Sequence, residues 1–164
     1  MRLFLTCRLK DNETPGGYKT TKAAALIEHL GIRDEVCELG AVPYHSLHHL
    51  YKACDVYVTP AYAETFAHPL VEAMACGLPI VASDLPVHRE VAGESALYFD
   101  RFSPEQLAKA VARVASQEEL RCSLSFNAKQ RSLDFSWARH VAKLVEIANR
   151  LVSPAEATSY RMSA

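Results

Sequence analysis

Residues 64 to 84 read ETFAHPLVEAMACGLPIVASD, and this segment predicts a helix followed by a buried strand. The helix is predicted over Ala67–Cys76, where apolar residues leave no obvious solvent face. Pro69 is tolerated in a first helical turn because an N–H there has no helical partner, and Gly77 is a typical C-terminal stop. The apolar run at residues 78–83 has the composition of a buried parallel strand.

Two carboxylates bracket the start of this helix. Glu72 lies inside it, where a buried carboxylate requires a partner: either an arginine such as Arg89 or the hydroxyls of a ligand. The N–H groups around Phe66 to Pro69, together with the helix dipole, form a predicted anion site. Glu64 would accept hydrogen bonds from sugar hydroxyls but would repel a phosphate placed too close. A phosphate with hydroxyl-bearing rings on either side fits both features, which predicts a nucleotide sugar.

The same segment resembles the E-x7-E signature of retaining glycosyltransferase family 4, whose members have the GT-B fold. Three further motifs are similar to this family in order and spacing: LGAVP at residues 39–43, LYKACDVYVTP at residues 50–60, and the stretch at residues 84–99. The last of these resembles mannosyltransferase-like members, which gives a slight preference for GDP-mannose. The resemblance covers roughly residues 3–150.

The resemblance implies a role for each matching residue. Glu64, the catalytic residue of the set, would position the transferred sugar, and Glu72 would bind the ribose hydroxyls. Ala41 and Val42 would line the base. The diphosphate would meet the start of the helix, at Phe66, Ala67, His68, Pro69 and Leu70. The implied reaction moves a sugar from a nucleotide diphosphate sugar to an acceptor hydroxyl with retention of configuration, and it requires no cofactor and no metal.

Length and composition favour one domain with a sizeable core, predicted over residues 1–152 and followed by a disordered tail at residues 153–164. The formal charge of −1 and the scattered basic residues argue against a nucleic acid partner. The five cysteines contain no CxxC pair and are typical of reduced thiols. Since no apolar run is long enough to span a membrane, we expect a cytoplasmic protein, with peripheral membrane association of the full enzyme left open.

Helix and strand signals alternate along the chain, which predicts an α/β, Rossmann-like, mostly parallel sheet with helices on both faces. Strands are predicted at residues 3–7, 36–39, 56–59, 80–83 and 96–99. Helices are predicted at residues 20–30, 46–53, 67–76, 88–92, 118–133 and 137–151, and a further helix is predicted to begin at residue 103. A loop at residues 15–17 precedes the first helix. Ser46, Ser103 and Ser136 are predicted to open helices, Ser103 as a capping box with Gln106. Ligands of such sheets bind at the carboxyl ends of the strands, where loops 41–44, 60–69 and 83–86 lie.

The chain also departs from the family pattern. Ala67 stands where a glycine is usual, and its methyl can restrict the approach of a ligand to the backbone. His68 replaces a common aliphatic residue, either as a donor or as filler. The acceptor-binding N-terminal lobe and the basic G-R-x4-K clamp have no counterpart. We therefore expect an incomplete C-terminal GT-B lobe, truncated at its N-terminus, with weak donor affinity, little turnover alone and an exposed sheet edge near residues 3–7.

Two other functions stay open: the lobe of a GT-B sugar-nucleotide epimerase, and a non-catalytic nucleotide-binding or interaction module. His45, His48 and His49 form the one metal-like cluster of the sequence, but neither a carboxylate nor a cysteine completes a ligand set, so a surface helix start is predicted there. Phe135 and Trp137 are predicted to be packing residues.

Overall fold

The computed structural model describes residues 1–9 and 20–152. These residues form two compact units, which divide between Leu47 and His48. The loop predicted at residues 15–17 and the tail predicted at residues 153–164 lie outside the described residues.

The first unit contains a two-stranded parallel sheet, β1 (Leu3–Leu5) and β2 (Val36–Glu38), with Leu3 opposite Val36. The helix α1 (Thr20–His29) lies between them in the chain, and a 3-10 turn (Arg33–Glu35) precedes β2. Leu9, Ile27 and Val36 form its small core. Within the described residues β1 pairs with β2 alone, so its other side is a sheet edge. Leu3 and Phe4 of β1 are exposed, as expected for such an edge.

The second unit is built on three parallel strands in the order β3 (Tyr57–Thr59), β4 (Ile80–Ser83) and β5 (Ala96–Phe99). Its helices follow in chain order. They are α3 (His68–Ala75), α4 (Pro86–Ala92), α5 (Pro104–Ser116), α6 (Glu118–Ser132) and α7 (Trp137–Val152). The helix α2 (Tyr44–Lys52) spans the boundary between the units in the chain. All four residues of β4 are buried, as its apolar sequence predicts for a central strand.

Helices cover both faces of this sheet, as predicted. Ile80 belongs to a core cluster with Leu70 and Met74 of α3, whereas the next residue, Val81, belongs to a cluster with Val114 of α5. Because successive side chains of a strand point to opposite faces, the two clusters are the cores of the two faces.

The helix α3 confirms the predicted stop and corrects the predicted surface. Gly77 has a φ of 77°, and its N–H donates to the Met74 carbonyl at 2.9 Å, the geometry of a glycine C-terminal cap. Leu70 and Met74 are fully buried. The expectation that the helix lacks a solvent face was wrong, because Ala75 is exposed while the opposite side packs on α6.

The predicted caps have mixed outcomes. Ser103 accepts the Gln106 N–H at 3.2 Å, which confirms it as the cap of α5. The reciprocal bond of a capping box is absent from the described bonds, because the Gln106 side chain accepts the Asp100 N–H at 2.9 Å instead. Ser136 accepts the Arg139 N–H at 3.1 Å ahead of α7. The prediction for Ser46 was wrong, since α2 already begins at Tyr44.

The last helix exposes an apolar side. Phe135 packs against the α3 core as predicted, but Trp137 is 75% exposed and its ring lies beside that of His140, so the packing prediction for Trp137 was wrong. The apolar residues of α7 that are about half exposed or more are Val141, Leu144, Val145, Leu151 and Val152. No described helix combines the length and the apolar character that crossing a bilayer requires.

Candidate functional site

The segment from Pro60 to Ala67, called here the Glu64 loop, connects the carboxyl end of β3 to α3. Two hydrogen bonds hold its first half. Ser83, the last residue of β4, donates from its hydroxyl to the Ala61 carbonyl at 2.7 Å. Arg101, which follows β5, donates to the Tyr62 carbonyl at 3.0 Å. Residues at the ends of β4 and β5 therefore fix the position of the loop.

Arg101 is the centre of an aromatic cluster. Its guanidinium carbon lies 4.8 Å from the centre of the Tyr62 ring and 4.9 Å from that of Phe102, and the two rings meet edge to face at 5.6 Å. Such cation–π contacts stabilise the arginine in one orientation. No motif in the sequence indicated Arg101. The available signal was its position just after β5, since the carboxyl ends of parallel strands meet at one edge of a sheet.

His88 of α4 lies fully buried behind the end of β4. Its Nδ1 is 2.8 Å from the Ser83 carbonyl oxygen. Because a carbonyl only accepts, Nδ1 is the donor in this bond. Nε2 is buried and has no hydrogen-bond partner among residues 1–9 and 20–152. His88 lies in a stretch that carried the family resemblance, but the sequence assigned no role to it.

Glu64 is exposed, and its carboxylate turns back onto the loop that carries it. One carboxylate oxygen accepts the Thr65 N–H at 2.7 Å and the Phe66 N–H at 3.4 Å. The Thr65 N–H foremost, and then those of Phe66 and Ala67, hold the pKa of the Glu64 carboxyl below its usual range, with a smaller contribution from His88. The structure therefore places a negative charge on the backbone amides that precede α3.

Ala67 adopts the left-handed conformation, with φ 66° and ψ 55°, immediately before the first residue of α3. This conformation costs a residue with a Cβ about 1–2 kcal/mol, which accounts for the glycine typical of the resembling sequences. Ala67 is only 4% exposed and belongs to the core around α3. The methyl thus packs inward, and its main consequence is backbone strain.

The other residues predicted to meet a diphosphate surround the start of α3. The Leu70 N–H donates to the Ala67 carbonyl at 3.0 Å. This N–H could therefore bind a ligand only if its hydrogen bond to Ala67 were broken. Pro69 is exposed and has no N–H to give. The His68 ring meets the Phe66 ring edge to face at 4.8 Å, and Phe66 in turn meets Phe135 at 5.8 Å.

Glu72 is half-buried on α3 and has a tyrosine as its partner. The Tyr51 hydroxyl donates to the Glu72 carboxylate at 3.0 Å. Burial and, next, this hydrogen bond raise the pKa of Tyr51. Pairing with Arg89, one of the two possibilities for Glu72, was wrong, because Arg89 binds both oxygens of Asp84 at 2.5 and 2.7 Å. In the described part of the chain Glu72 forms no ion pair.

Sequence reasoning missed Tyr51 although it lies in the LYKACDVYVTP motif. The tyrosine comes 21 residues before Glu72, and no periodicity links a residue of α2 to one of α3. The signal was the motif itself, which places a tyrosine just before the strand that leads into the Glu64 loop.

Ala41 and Val42 belong to the first unit, where they follow the carboxyl end of β2, as predicted for a ligand-binding loop. Ala41 is exposed and Val42 is half-buried. The preceding Gly40 has a φ of 70°, and the Arg8 guanidinium comes within 3.0 Å of the place where a Cβ would stand. A larger residue at position 40 would therefore displace Arg8.

Two clefts lie in the second unit, and one of them is lined by Arg101 and Phe102, which contact Tyr62 of the Glu64 loop. One of about 340 Å³ is at the carboxyl end of α3, and one of about 580 Å³ lies beside the ends of β4 and β5. Neither is lined by Glu64 or by residues 66–70. The start of α3 therefore lies outside both clefts.

The fold defines the class of protein first. The chain is an α/β protein similar to GT-B glycosyltransferase structures. It matches sucrose-phosphate synthase from Thermosynechococcus elongatus with a TM-score of 0.79 and 24% identity, over 91% of this chain and 37% of that one. It matches Anabaena HepE in complex with UDP-glucose with a TM-score of 0.73 and 23% identity, over 82% of this chain and 38% of that one.

The sequence then defines the family. Residues 16–131 match the model for glycosyl transferases group 1, and the chain belongs to this family. A curated relative, D-inositol 3-phosphate glycosyltransferase of Corynebacterium glutamicum (strain R), is 30% identical over 145 residues, which are 87% of this chain and 33% of the relative. The chain spans about a third of the length of the curated relatives it matches.

Proposed function

We propose that this chain is the donor-binding lobe of a retaining glycosyltransferase of family 4, and that it binds a nucleotide diphosphate sugar at the start of α3. The observation that carries the proposal is the pairing of Glu72 with a neutral tyrosine instead of an arginine. A carboxylate bound to a hydroxyl keeps its charge and its remaining acceptor positions. Those positions suit the ribose hydroxyls of a nucleotide.

The diphosphate is proposed to bind the backbone amides between Thr65 and His68. Two features favour an anion there: the amino end of the α3 dipole and the N–H groups that already hold the Glu64 carboxylate. A protein of similar fold supports this class of ligand, since Anabaena HepE was solved in complex with UDP-glucose. Ala41 and Val42 are proposed to line the base.

The proposed reaction needs stabilisation of the leaving group more than a strong nucleophile. Negative charge grows on the diphosphate as its bond to the sugar breaks, and the loop amides with the helix dipole stabilise that charge. Glu64 then positions the sugar through its hydroxyls, and a donor phosphate oxygen takes the proton of the acceptor hydroxyl. Neither a metal nor a cofactor enters this proposal.

The acceptor is proposed to bind residues other than these 164. The curated relatives are about three times as long as the part that this chain matches, which leaves room for a second lobe. We therefore expect weak donor binding and little turnover from this chain alone. GDP-mannose is the proposed donor, on the resemblance of residues 84–99. We also propose that the enzyme works in the cytoplasm and can meet a membrane surface.

Saturation-transfer NMR with GDP-mannose, UDP-glucose and ADP-glucose tests this proposal. The wild type should give saturation transfer to the ribose and base protons of one of them. Glu72→Ala should weaken that binding about tenfold, because a hydrogen bond to a charged group contributes about 1.5–3 kcal/mol.

Glu119→Ala is the matched control, since it removes the same charge from an exposed residue at the start of α6. It should leave binding unchanged. Absence of binding to all three nucleotide sugars at millimolar concentration contradicts the proposed function. Equal binding by Glu72→Ala and the wild type contradicts the role of Glu72.

A further inference from the structure

The Glu64 carboxylate occupies amides that the proposed function assigns to the donor diphosphate. Its oxygen lies 2.7 Å from the Thr65 nitrogen and 3.4 Å from the Phe66 nitrogen. An anionic group of the protein therefore sits where an anionic ligand would bind. The same N–H groups cannot serve both, and two negative charges at that separation repel each other.

A second observation concerns a buried group behind the loop. The buried Nε2 of His88 has no hydrogen-bond partner among the described residues, and such unpaired buried groups are costly. His88 contacts Ser83, whose hydroxyl holds Ala61 at the start of the loop, and it is close enough to affect the pKa of Glu64. A ligand-bound arrangement of the loop that brings a hydrogen-bond partner to Nε2 would remove this cost.

We infer that Glu64 determines specificity for the nucleotide sugar over the bare nucleoside diphosphate. This inference rests on the proposed function. Binding of the diphosphate displaces the carboxylate from the Thr65 and Phe66 amides. A nucleotide sugar offers the hydroxyls of its transferred sugar to the displaced carboxylate. A nucleoside diphosphate lacks that sugar and leaves the displaced carboxylate next to the negative charge of the diphosphate.

The consequence concerns the end of the reaction. Once the sugar has been transferred, the carboxylate loses its hydroxyl partners and competes again for the loop amides. Glu64 thereby weakens the binding of the product and favours its release. A residue that only positioned the sugar would leave the affinity for the bare diphosphate unchanged.

Isothermal titration calorimetry on the chain tests the inference. One ligand is inorganic pyrophosphate, which contains no base and so does not require the base to be known. The others are two pairs, GDP with GDP-mannose and UDP with UDP-glucose. Glu64→Ala should bind pyrophosphate and the nucleoside diphosphate about tenfold more tightly than the wild type, or ~1.4 kcal/mol. The nucleotide sugar should gain no affinity, so the preference for it over the diphosphate should fall. Glu64→Gln keeps the shape without the charge and should lie in between.

Glu119→Ala controls for the loss of one negative charge and should leave every affinity within about twofold of the wild type, since a distant surface charge is screened by salt. The inference is overturned if Glu64→Ala binds pyrophosphate and the diphosphates no more tightly than the wild type does, or if Glu119→Ala tightens them equally. Failure of the proposed function looks different, because then no variant binds any nucleotide sugar. Circular dichroism verifies that each variant is folded.

Discussion

Helices α3 and α7 both carry apolar side chains at helical spacing, yet they lie in opposite environments. In α3, Leu70 and Met74 are fully buried against α6 and the sheet. In α7, Trp137 and Leu151 are 75% and 74% exposed. The sequence thus predicts a helix in both segments without determining what covers the apolar side of α7, because such a cover comes from residues distant in the chain.

The difference matters for the site. The packing of α3 holds Glu72 beside Tyr51 and sets the direction of the amides at the start of the helix. Nothing in the described part of the second unit packs on the apolar side of α7 to the same degree. We therefore expect the stability of the second unit to depend on α3 and hardly on α7, and four substitutions, one of them a control, test this contrast.

The largest effect is expected from Met74→Ala. It leaves a cavity in a fully buried part of the core and should lower the free energy of unfolding by about 3 kcal/mol. Leu144→Ala in α7 is the matched control, because it removes a large apolar side chain that is 53% exposed. Urea denaturation followed by circular dichroism measures both. Similar losses for the two variants would abolish the contrast.

A smaller effect is expected from Tyr51→Phe, which removes the hydrogen bond to Glu72 and should cost about 1 kcal/mol at neutral pH. The variant should also change how the free energy of unfolding depends on pH in the alkaline range. Burial raises the pKa of Tyr51, and burial likewise raises the pKa of Tyr57 to about 12.

The sign of this pH dependence follows from the two tyrosines. The unfolded chain releases their protons near pH 10.0, before the folded chain does. Stability is therefore complete below pH 10 and is lost as the pH rises toward 12. The urea midpoint of unfolding should fall as the pH rises from 8 to 11, and it should fall less steeply in Tyr51→Phe than in the wild type. The reason is that the variant has one titrating tyrosine fewer. A slope equal to that of the wild type would show that Tyr51 is not buried as described.

The smallest effect is expected from Leu144→Lys in α7. A charged residue on an uncovered surface should change the free energy of unfolding by less than about 0.5 kcal/mol. Thermal unfolding by differential scanning calorimetry provides the measurement. A loss above about 1 kcal/mol would show that the apolar side of α7 is covered, as α3 is.

The strands of the second unit were the part of the fold most accessible to sequence reasoning. Residues 80–83 and 96–99 were predicted with the bounds that β4 and β5 have, since both are short apolar runs with turn residues at their ends. Helix starts were less accurate. The helix α2 begins at Tyr44, ahead of the predicted Ser46, because a turn residue inside a helix gives the same local signal as a cap.

The candidate site could be predicted in its residues but not in their bonds. Glu64, Glu72 and the start of α3 were all identified from one segment. The partners were not, because Arg101 and Tyr62 are 39 residues apart in the chain, and Tyr51 and Glu72 are 21 apart. Such pairs depend on which strands and helices are neighbours in space, and that arrangement has no local signal.

By itself, the sequence determined the alternation of helices and strands, the family and the carboxylates that bracket the start of α3, since periodicity, end signals and motifs are local properties of a chain. The tertiary structure alone decided where each acid points: Glu64 to the amides of its own loop, Glu72 to Tyr51, and Asp84 to Arg89. The physical reason is that a hydrogen bond forms between groups that folding brings within about 3 Å, and neither the turn of the Glu64 loop nor the approach of α2 to α3 has a signal in the local sequence.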